Sequence, residues 1–260
     1  MSYETINIER TDAALVISIN RPRQRNAISR QAIDEIGLAL TEANEDKTVR
    51  GVILTGGAGG FSAGADLNDA QSLDSAQAAI EYFGKWHGLC ASIEFLSKPV
   101  VAAIEGFCMT GGLEVALACD LRVAARSARF AITSSRIGTV AGAGGTQRLA
   151  RLVGRSNALD ILFSAEPLGA EDAYRMGLVN RLVDDGSALA EAKRMVALYA
   201  TRAPLSLAMV KRAVYRGLDM DLASALEFEA YLVSTIYGTD DRREGIAAFL
   251  EKREPRFKGQ

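Results

Sequence analysis

The sequence is poor in the residues that build metal and thiol sites, with three cysteines and one histidine among 260 residues. Three cysteines cannot all pair as disulfides, and Cys90, Cys108 and Cys119 show no metal-ligand spacing, so we expect small buried thiols and no metal site. A single imidazole excludes sites that need several histidine ligands or a serine–histidine pair elsewhere in the chain. We therefore expect His87 to be a helix-surface residue without a catalytic role.

Long apolar runs and a strong net charge are also lacking. No run is long enough to span a bilayer, and no signal-peptide pattern is present, so we expect a cytoplasmic protein without a membrane partner. The formal net charge is −2, which gives no overall basic field for nucleic acid. Arg21, Arg23 and Arg25 form a local basic cluster, which suits either a phosphorylated ligand or solvated surface.

Short apolar segments alternate with amphipathic helix patterns in the first part of the chain, which predicts an α/β fold. Ser29 is placed to cap a helix over residues 29–44. Strand patterns occur at residues 4–9, 13–20, 52–55, 100–104, 121–125 and 130–133. After Gly145 the sequence becomes mainly helical, with one strand pattern at residues 179–183.

The most informative residue is Glu114, which lies in the apolar run from Gly111 to Cys119. Such a run indicates a buried helix, where a carboxylate loses its hydration and its pKa rises toward the range useful for proton transfer. An acid in the first turn also complements the helix dipole. Considered alone, these two explanations are about equally good.

A second glycine-rich segment favours the catalytic explanation. Residues 61–67 follow the strand pattern at 52–55 and contain Gly64 and Ala65, small residues that allow a ligand to approach the backbone. Backbone N–H groups from this segment and from the start of the Glu114 helix can converge on one oxygen. The sequence therefore predicts an oxyanion hole beside a carboxylate.

Five segments in register resemble the enoyl-CoA hydratase/isomerase, or crotonase, superfamily over nearly the whole chain. They are residues 20–27, 61–67, 106–120, 142–149 and 245–253. The resemblance implies a spiral of strand-strand-helix repeats in residues 1–195. It also implies that residues 196–260 form a helical region that builds a homotrimer or hexamer, although the apolar faces there suit intrachain packing equally well.

The resemblance also implies site roles. The substrate is an acyl-CoA whose coenzyme A enters as part of the thioester, with no separate cofactor. The oxyanion donors are the N–H groups of Ala65 and Gly111, and Glu114 is the acid–base residue. The residues expected to contact coenzyme A are Arg25, Ala27, Ala63, Ala65, Asp66 and Leu67, with Phe249 and Lys252 from this or a neighbouring subunit. Asp66 and Asp120 are assigned mainly structural roles.

One position departs from the pattern of the hydratases in this family. Ser134 stands where they carry a second glutamate, and a serine is a poor acid or base near neutral pH. Hydration of a 2-enoyl-CoA is the first expectation, and double-bond isomerisation is the close alternative because it needs one base. Thioester hydrolysis or decarboxylation comes third, and a non-catalytic binding protein is the remaining alternative. Arg136 suits an anionic acyl group or plain surface.

Overall fold

The computed structural model describes residues 3–260, and the strands lie in two sheets. The strands are β1 (Ile6–Arg10), β2 (Ala14–Ile19), β3 (Gly51–Thr55), β4 (Val100–Ile104), β5 (Phe107–Met109), β6 (Leu121–Ala125), β7 (Arg129–Ala131), β8 (Leu168–Gly169) and β9 (Arg181–Val183). The larger sheet has the order β1-β2-β3-β4-β6-β9 and is parallel except for the β1–β2 pair. The smaller sheet has the order β5-β7-β8.

Helices cover the sheets and form the C-terminal part of the chain. They are α1 (Arg30–Glu45), α2 (Leu67–Gln71), α3 (Ala76–Glu94), α4 (Gly111–Ala118), α5 (Gly145–Val153), α6 (Arg155–Ser164), α7 (Ala170–Arg175), α8 (Ala188–Ala200), α9 (Pro204–Gly217), α10 (Leu222–Tyr237) and α11 (Asp240–Glu251). Short 3-10 helices lie at Pro22–Gln24 and Ser134–Ile137. Ser29 caps α1 by accepting a hydrogen bond from the Ala32 N–H, as its sequence predicts.

The chain alternates between the two sheets before each helix. It passes from β4 to β5 and then α4, and from β6 to β7 and then the Ser134–Ile137 turn and α5. One repeat earlier, β3 is followed by Ser62, which bridges to Cys108 of β5 before α2 and α3. This arrangement is the expected spiral of strand-strand-helix repeats, and it places the start of each helix beside the ends of two strands.

Strand alternation separates two cores on opposite faces of the larger sheet. One face packs against α1, α3 and α4 through Leu15, Ile17, Val52, Leu54, Val100, Ala102 and Ile104. The other face packs against α8 through Val16, Ile53, Val101, Ala103 and Val123. Both faces are covered, as is usual for a parallel sheet. The first core therefore surrounds α4 and the residue that the sequence singles out.

The C-terminal region is helical, as expected, and leaves many apolar side chains exposed on α9, α10 and α11. Its large exposed side chains include Val210, Val214, Leu218, Leu226, Tyr231, Phe249 and Leu250. The expected division after residue 195 falls within α8, whose Val196 packs against Gly51 of β3. Within residues 3–260, no helix combines the length and the apolar character that crossing a membrane requires.

Candidate active site

Glu114 lies in the first turn of α4, and every residue of this helix is buried. Only 3% of Glu114 is exposed. Its Oε1 accepts hydrogen bonds from the Ala143 N–H and the Gly145 N–H, both at 2.8 Å. Oε2 accepts no hydrogen bond from any residue of the described chain. One carboxylate oxygen is therefore fixed at the start of α5, and the other makes no hydrogen bond within the described chain.

The acidity of Glu114 reflects opposing influences. Burial raises the pKa of Glu114 above its ordinary value, although the hydrogen bonds from Gly145 and Ala143 and the positive charge of Arg148 act in the opposite direction. The direction of this pKa shift agrees with the sequence-based expectation. A carboxyl with a raised pKa can change protonation state nearer neutral pH, which suits acid–base work.

The backbones of Ala65 and Gly111 come together at the start of α4, one turn before Glu114. A Cβ added to Gly111 would lie 3.1 Å from the Ala65 nitrogen, and one added to Gly64 would lie 3.3 Å from the Gly111 nitrogen. Neither the Ala65 N–H nor the Gly111 N–H donates a hydrogen bond to another residue among residues 3–260. Two unpaired donors thus lie side by side, which is the arrangement predicted for an oxyanion hole.

Thr110, the residue before Gly111, has a backbone conformation that favours glycine, with φ 43° and ψ −113°. Its N–H donates to the Ala131 carbonyl at 2.7 Å, and its Oγ1 lies 2.9 Å from Thr133 Oγ1. The Thr133 N–H also donates to Thr110 Oγ1. Such strain persists only where surrounding contacts enforce it, and here they fix the peptide that carries the Gly111 N–H.

Ser134 follows Thr133 and is buried, with 5% of the residue exposed. It begins the 3-10 turn that ends at Gly138, which has a left-handed φ of 71°. The side chain of Ile132, two residues earlier, approaches Gly145 beside Glu114. The structure thus brings the segment of Ser134 to the site, but the Ser134 hydroxyl makes no hydrogen bond to a described residue.

The residues expected to contact coenzyme A lie on two paired loops. The Ala63 N–H donates to the Arg25 carbonyl, the Ile28 N–H to the Gly64 carbonyl, and the Asp66 N–H to the Ile28 carbonyl. Ala27 is buried, whereas Leu67 and the Arg25 side chain are exposed. The Arg25 guanidinium lies 4.6 Å from the centre of the Phe107 ring.

Asp66 holds these loops through its side chain. It caps α2 by accepting from the Asn68 N–H and pairs with Arg21 at 2.8 Å. Burial alone would raise the pKa of Asp66, but the Arg21 and Asn68 contacts hold it below its ordinary value. This geometry supports the structural role assigned to Asp66. Because Arg21 is paired with Asp66, its charge is not free to bind a phosphorylated ligand.

No hydrogen bond or ion pair within residues 3–260 joins the region of Phe249 and Lys252 to these paired loops. Phe249 is 84% exposed. The hydrogen bonds and ion pairs of α11 within residues 3–260 all involve residues 237–260. A contribution of these two residues to coenzyme A binding stays a prediction.

Three other side chains have defined places. Asp120 accepts from the Val100 N–H and pairs with Lys211, so its contacts are structural. Arg136 pairs with Glu166 at the surface. His87 is exposed on α3.

Sequence reasoning missed the groups that hold Glu114. Ala143, Gly145 and Arg148 lie in the segment at residues 142–149, which carries part of the family resemblance but was assigned no contact with Glu114. The signal that could have found this contact is a glycine-rich loop at a helix start, because its free N–H groups suit any anion, including a carboxylate of the same chain.

Known proteins resemble this chain over nearly its whole length. A family model described as enoyl-CoA hydratase/isomerase matches residues 9–260. The chain is 38% identical over 258 residues to a crotonyl-CoA hydratase of Syntrophomonas wolfei subsp. wolfei, covering 99% of each protein. It is 37% identical over 246 residues to a mitochondrial enoyl-CoA hydratase of Pongo abelii, covering 94% of this chain and 83% of that one.

Solved structures share the whole fold. The crystal structure of an enoyl-CoA hydratase from Bacillus anthracis matches with a TM-score of 0.94 at 35% identity, covering 99% of this chain and 100% of that one. Fold and site together define an enzyme built on the crotonase spiral. The chain belongs to the enoyl-CoA hydratase/isomerase family, and it is an enzyme of that family.

Proposed function

We propose that this protein adds water to the 2,3 double bond of a 2-enoyl-CoA thioester. The observation that carries the proposal is the buried Glu114, held by one oxygen and free at the other, beside the unpaired N–H groups of Ala65 and Gly111. The names of the relatives point the same way, since they are hydratases acting on enoyl-CoA or crotonyl-CoA.

In this mechanism the thioester carbonyl accepts hydrogen bonds from Ala65 and Gly111. These donors stabilise the enolate that forms when water attacks Cβ, and losing one such donor typically costs about 3–4 kcal/mol of transition-state stabilisation. Glu114 takes a proton from the attacking water as the oxygen bonds to Cβ. It then returns a proton to Cα, so the net change is the addition of one water molecule.

Ser134 gives this route its particular character. Its hydroxyl can donate to or accept from a water molecule, but it does not replace the acid–base work of a carboxylate. Both proton transfers therefore fall to Glu114. We therefore expect simple linear 2-enoyl-CoAs to be hydrated slowly. The natural substrate can still react well if its acyl group supplies a further polar group.

The coenzyme A portion enters as part of the substrate, and we propose no separate cofactor. Arg25 offers an exposed guanidinium to its phosphates, with Ala27, Ala63 and Leu67 beside it on the paired loops. Phe249 and Lys252 are proposed to contribute from the same or a neighbouring subunit of a homotrimer or hexamer.

We propose a cytoplasmic location, no nucleic-acid partner and no membrane partner. Support for the location comes from the three cysteines, which are buried free thiols.

The test incubates purified protein with linear, branched and aromatic 2-enoyl-CoAs and measures product mass. A gain of one water mass supports hydration. An unchanged mass with a moved double bond indicates isomerisation, release of free coenzyme A indicates hydrolysis, and loss of carbon dioxide indicates decarboxylation. Absence of turnover on the whole panel would favour a binding protein and contradict the proposal.

The matched variants are Glu114→Gln and Glu171→Gln, which each remove one carboxylate. Glu114→Gln is expected to lower turnover by on the order of 100-fold or more while coenzyme A binding and folding persist. Glu171 is an exposed residue whose carboxylate contacts Arg126, so Glu171→Gln is expected to turn over like the wild type. Near-normal turnover in Glu114→Gln would remove Glu114 from the catalytic role.

A further inference from the structure

A partly buried ion pair lies behind the loop that holds Glu114. Arg148 of α5 and Glu94 of α3 form a two-pronged contact, with Nε to Oε1 at 2.6 Å and Nη2 to Oε2 at 2.8 Å. The side chains are only 21% and 16% exposed. Removing two charges from water carries a desolvation cost, so a buried pair is weak evidence for stability alone. The pair therefore calls for a functional explanation.

The Arg148 guanidinium also contacts the loop itself. Its Nη1 donates to the Ala143 carbonyl at 3.1 Å. A Cβ added to Gly144, which has a φ of 101°, would collide with the same Nη1. The Nη1 end of the guanidinium thus lies against the loop at Gly144 and donates to the residue before it.

The same loop faces Glu114 on its other side. The Ala143 N–H and the Gly145 N–H both donate to Glu114 Oε1, so the 143–145 loop holds the carboxylate through two hydrogen bonds. Because Glu94 fixes Arg148 and Arg148 fixes the loop, a continuous set of contacts runs from α3 to the carboxylate oxygen. Bidentate arginine contacts have a defined geometry, which suits a positioning role.

We propose that the Glu94–Arg148 pair positions Glu114 for proton transfer, by fixing the 143–145 loop and by balancing the charge behind it. Neither residue contacts the reacting atoms in this proposal, so both are positioning residues. The inference rests on the proposed acid–base role of Glu114. The positive charge of Arg148 and the negative charge of Glu94 both lie behind the loop and offset each other.

The charged and titratable groups around Glu114 are few. From α3 these are His87, which is exposed, the buried thiol Cys90, and Glu94; from α5 the facing group is Arg148. Arg148 and Glu94 therefore carry opposite charges near Glu114, and each can be removed by its own substitution.

The experiment measures the pH profile of kcat/KM for wild type, Arg148→Met, Glu94→Gln and the double variant. Glu114 must be ionised to take a proton from water, so activity falls on the acid side as Glu114 is protonated. Arg148→Met removes a cation, which should move the acid limb to higher pH. Glu94→Gln leaves Arg148 uncompensated, which should move the limb to lower pH.

Each shift is expected to be on the order of one pH unit, and the double variant should return close to wild type. Opposite shifts from the two single variants cannot arise from a general loss of folding. Shifts in the same direction, or no shift in either, would overturn the proposal.

Arg148→Lys separates positioning from charge. It keeps the cation but loses the planar two-pronged contact, so the acid limb should stay in place while kcat falls by on the order of tenfold with little change in KM. A wild-type kcat in Arg148→Lys, with the thermal melt also unchanged, would show that the fork does not position the loop.

An infrared measurement keeps this proposal distinct from the proposed function. The carboxyl stretch of protonated Glu114 is identified by its loss in Glu114→Gln, and its titration is followed in Arg148→Met and Glu94→Gln without substrate. If no enoyl-CoA is hydrated but the two titrations shift in opposite directions, the proposed function fails and the positioning role stands. If hydration is normal but neither titration shifts, the proposed function stands and the positioning role fails.

Discussion

Substituting alanine at Gly145 tests the geometry of the site with a single methyl group. A Cβ at Gly145 would lie 2.9 Å from Glu114 Oε1, 3.0 Å from Glu114 Cγ and 3.0 Å from Ile132 Cδ1. These separations are shorter than ordinary van der Waals contacts of about 3.5 Å. Something must move, and the end of the Glu114 side chain is the most easily displaced of the three.

The size of the effect follows from that displacement. Relief of the contacts requires a shift of roughly half an ångström, which lengthens the two 2.8 Å hydrogen bonds to Oε1. Since a misplacement of about 1 Å costs on the order of 100-fold in rate, we expect kcat of Gly145→Ala to fall by roughly tenfold to 100-fold. Folding stability should change by only about 1 kcal/mol, because Gly145 is the first residue of α5 and does not need a left-handed φ.

The control is Gly88→Ala on α3, where an added Cβ meets nothing within 4 Å. This variant should keep wild-type kcat and be slightly more stable, by about 0.5–1 kcal/mol, because alanine favours the helix interior. The assay is steady-state hydration of a 2-enoyl-CoA together with urea unfolding. Wild-type kcat in a folded Gly145→Ala protein would refute the reasoning that the position of Oε1 governs catalysis.

Three further predictions concern residue 134, assembly and residue 110. Ser134→Glu should raise crotonyl-CoA hydration by up to about 100-fold if it restores a second carboxyl, and vigorous wild-type hydration that the variant only damages would contradict this. Light scattering at micromolar concentration should show a trimer or hexamer, and a clean monomer would refute the proposed assembly. Thr110→Val should lose about 1–3 kcal/mol in urea unfolding because it loses the hydroxyl contacts with Thr133, and Thr110→Gly should lose less because it relieves backbone strain.

Elements with strong local signals were predictable from the sequence. The Ser29 cap and the strand at Val100–Ile104 occur where the sequence places them, and the chain after Gly145 is mainly helical as predicted. The strands Phe107–Met109 and Leu168–Gly169 were missed, since two or three residues are too few to show a period. Such short strands are defined by their partners in the smaller sheet, which no local pattern reveals.

The site divides in the same way. Glu114 stands out because an acid in an apolar helix violates the ordinary pattern, and burial with a raised pKa follows from that violation. The Glu94–Arg148 pair joins residues 54 positions apart, and each looks like an ordinary charged residue in its own segment. Their pairing depends on how α3 and α5 pack around α4, so it becomes visible only in the folded chain.

Ser134 and the fixed oxygen of Glu114 have a joint consequence for the chemistry. Oε1 is occupied by the Ala143 and Gly145 N–H groups, and position 134 supplies no second carboxyl. In the proposed hydration mechanism, we expect both the proton taken from water and the proton given to Cα to pass through Oε2. Because one atom would serve both ends of the double bond, we expect the two new bonds to form on the same face of the substrate. In that mechanism, the precision with which Oε1 is held governs how well Oε2 can serve both carbons.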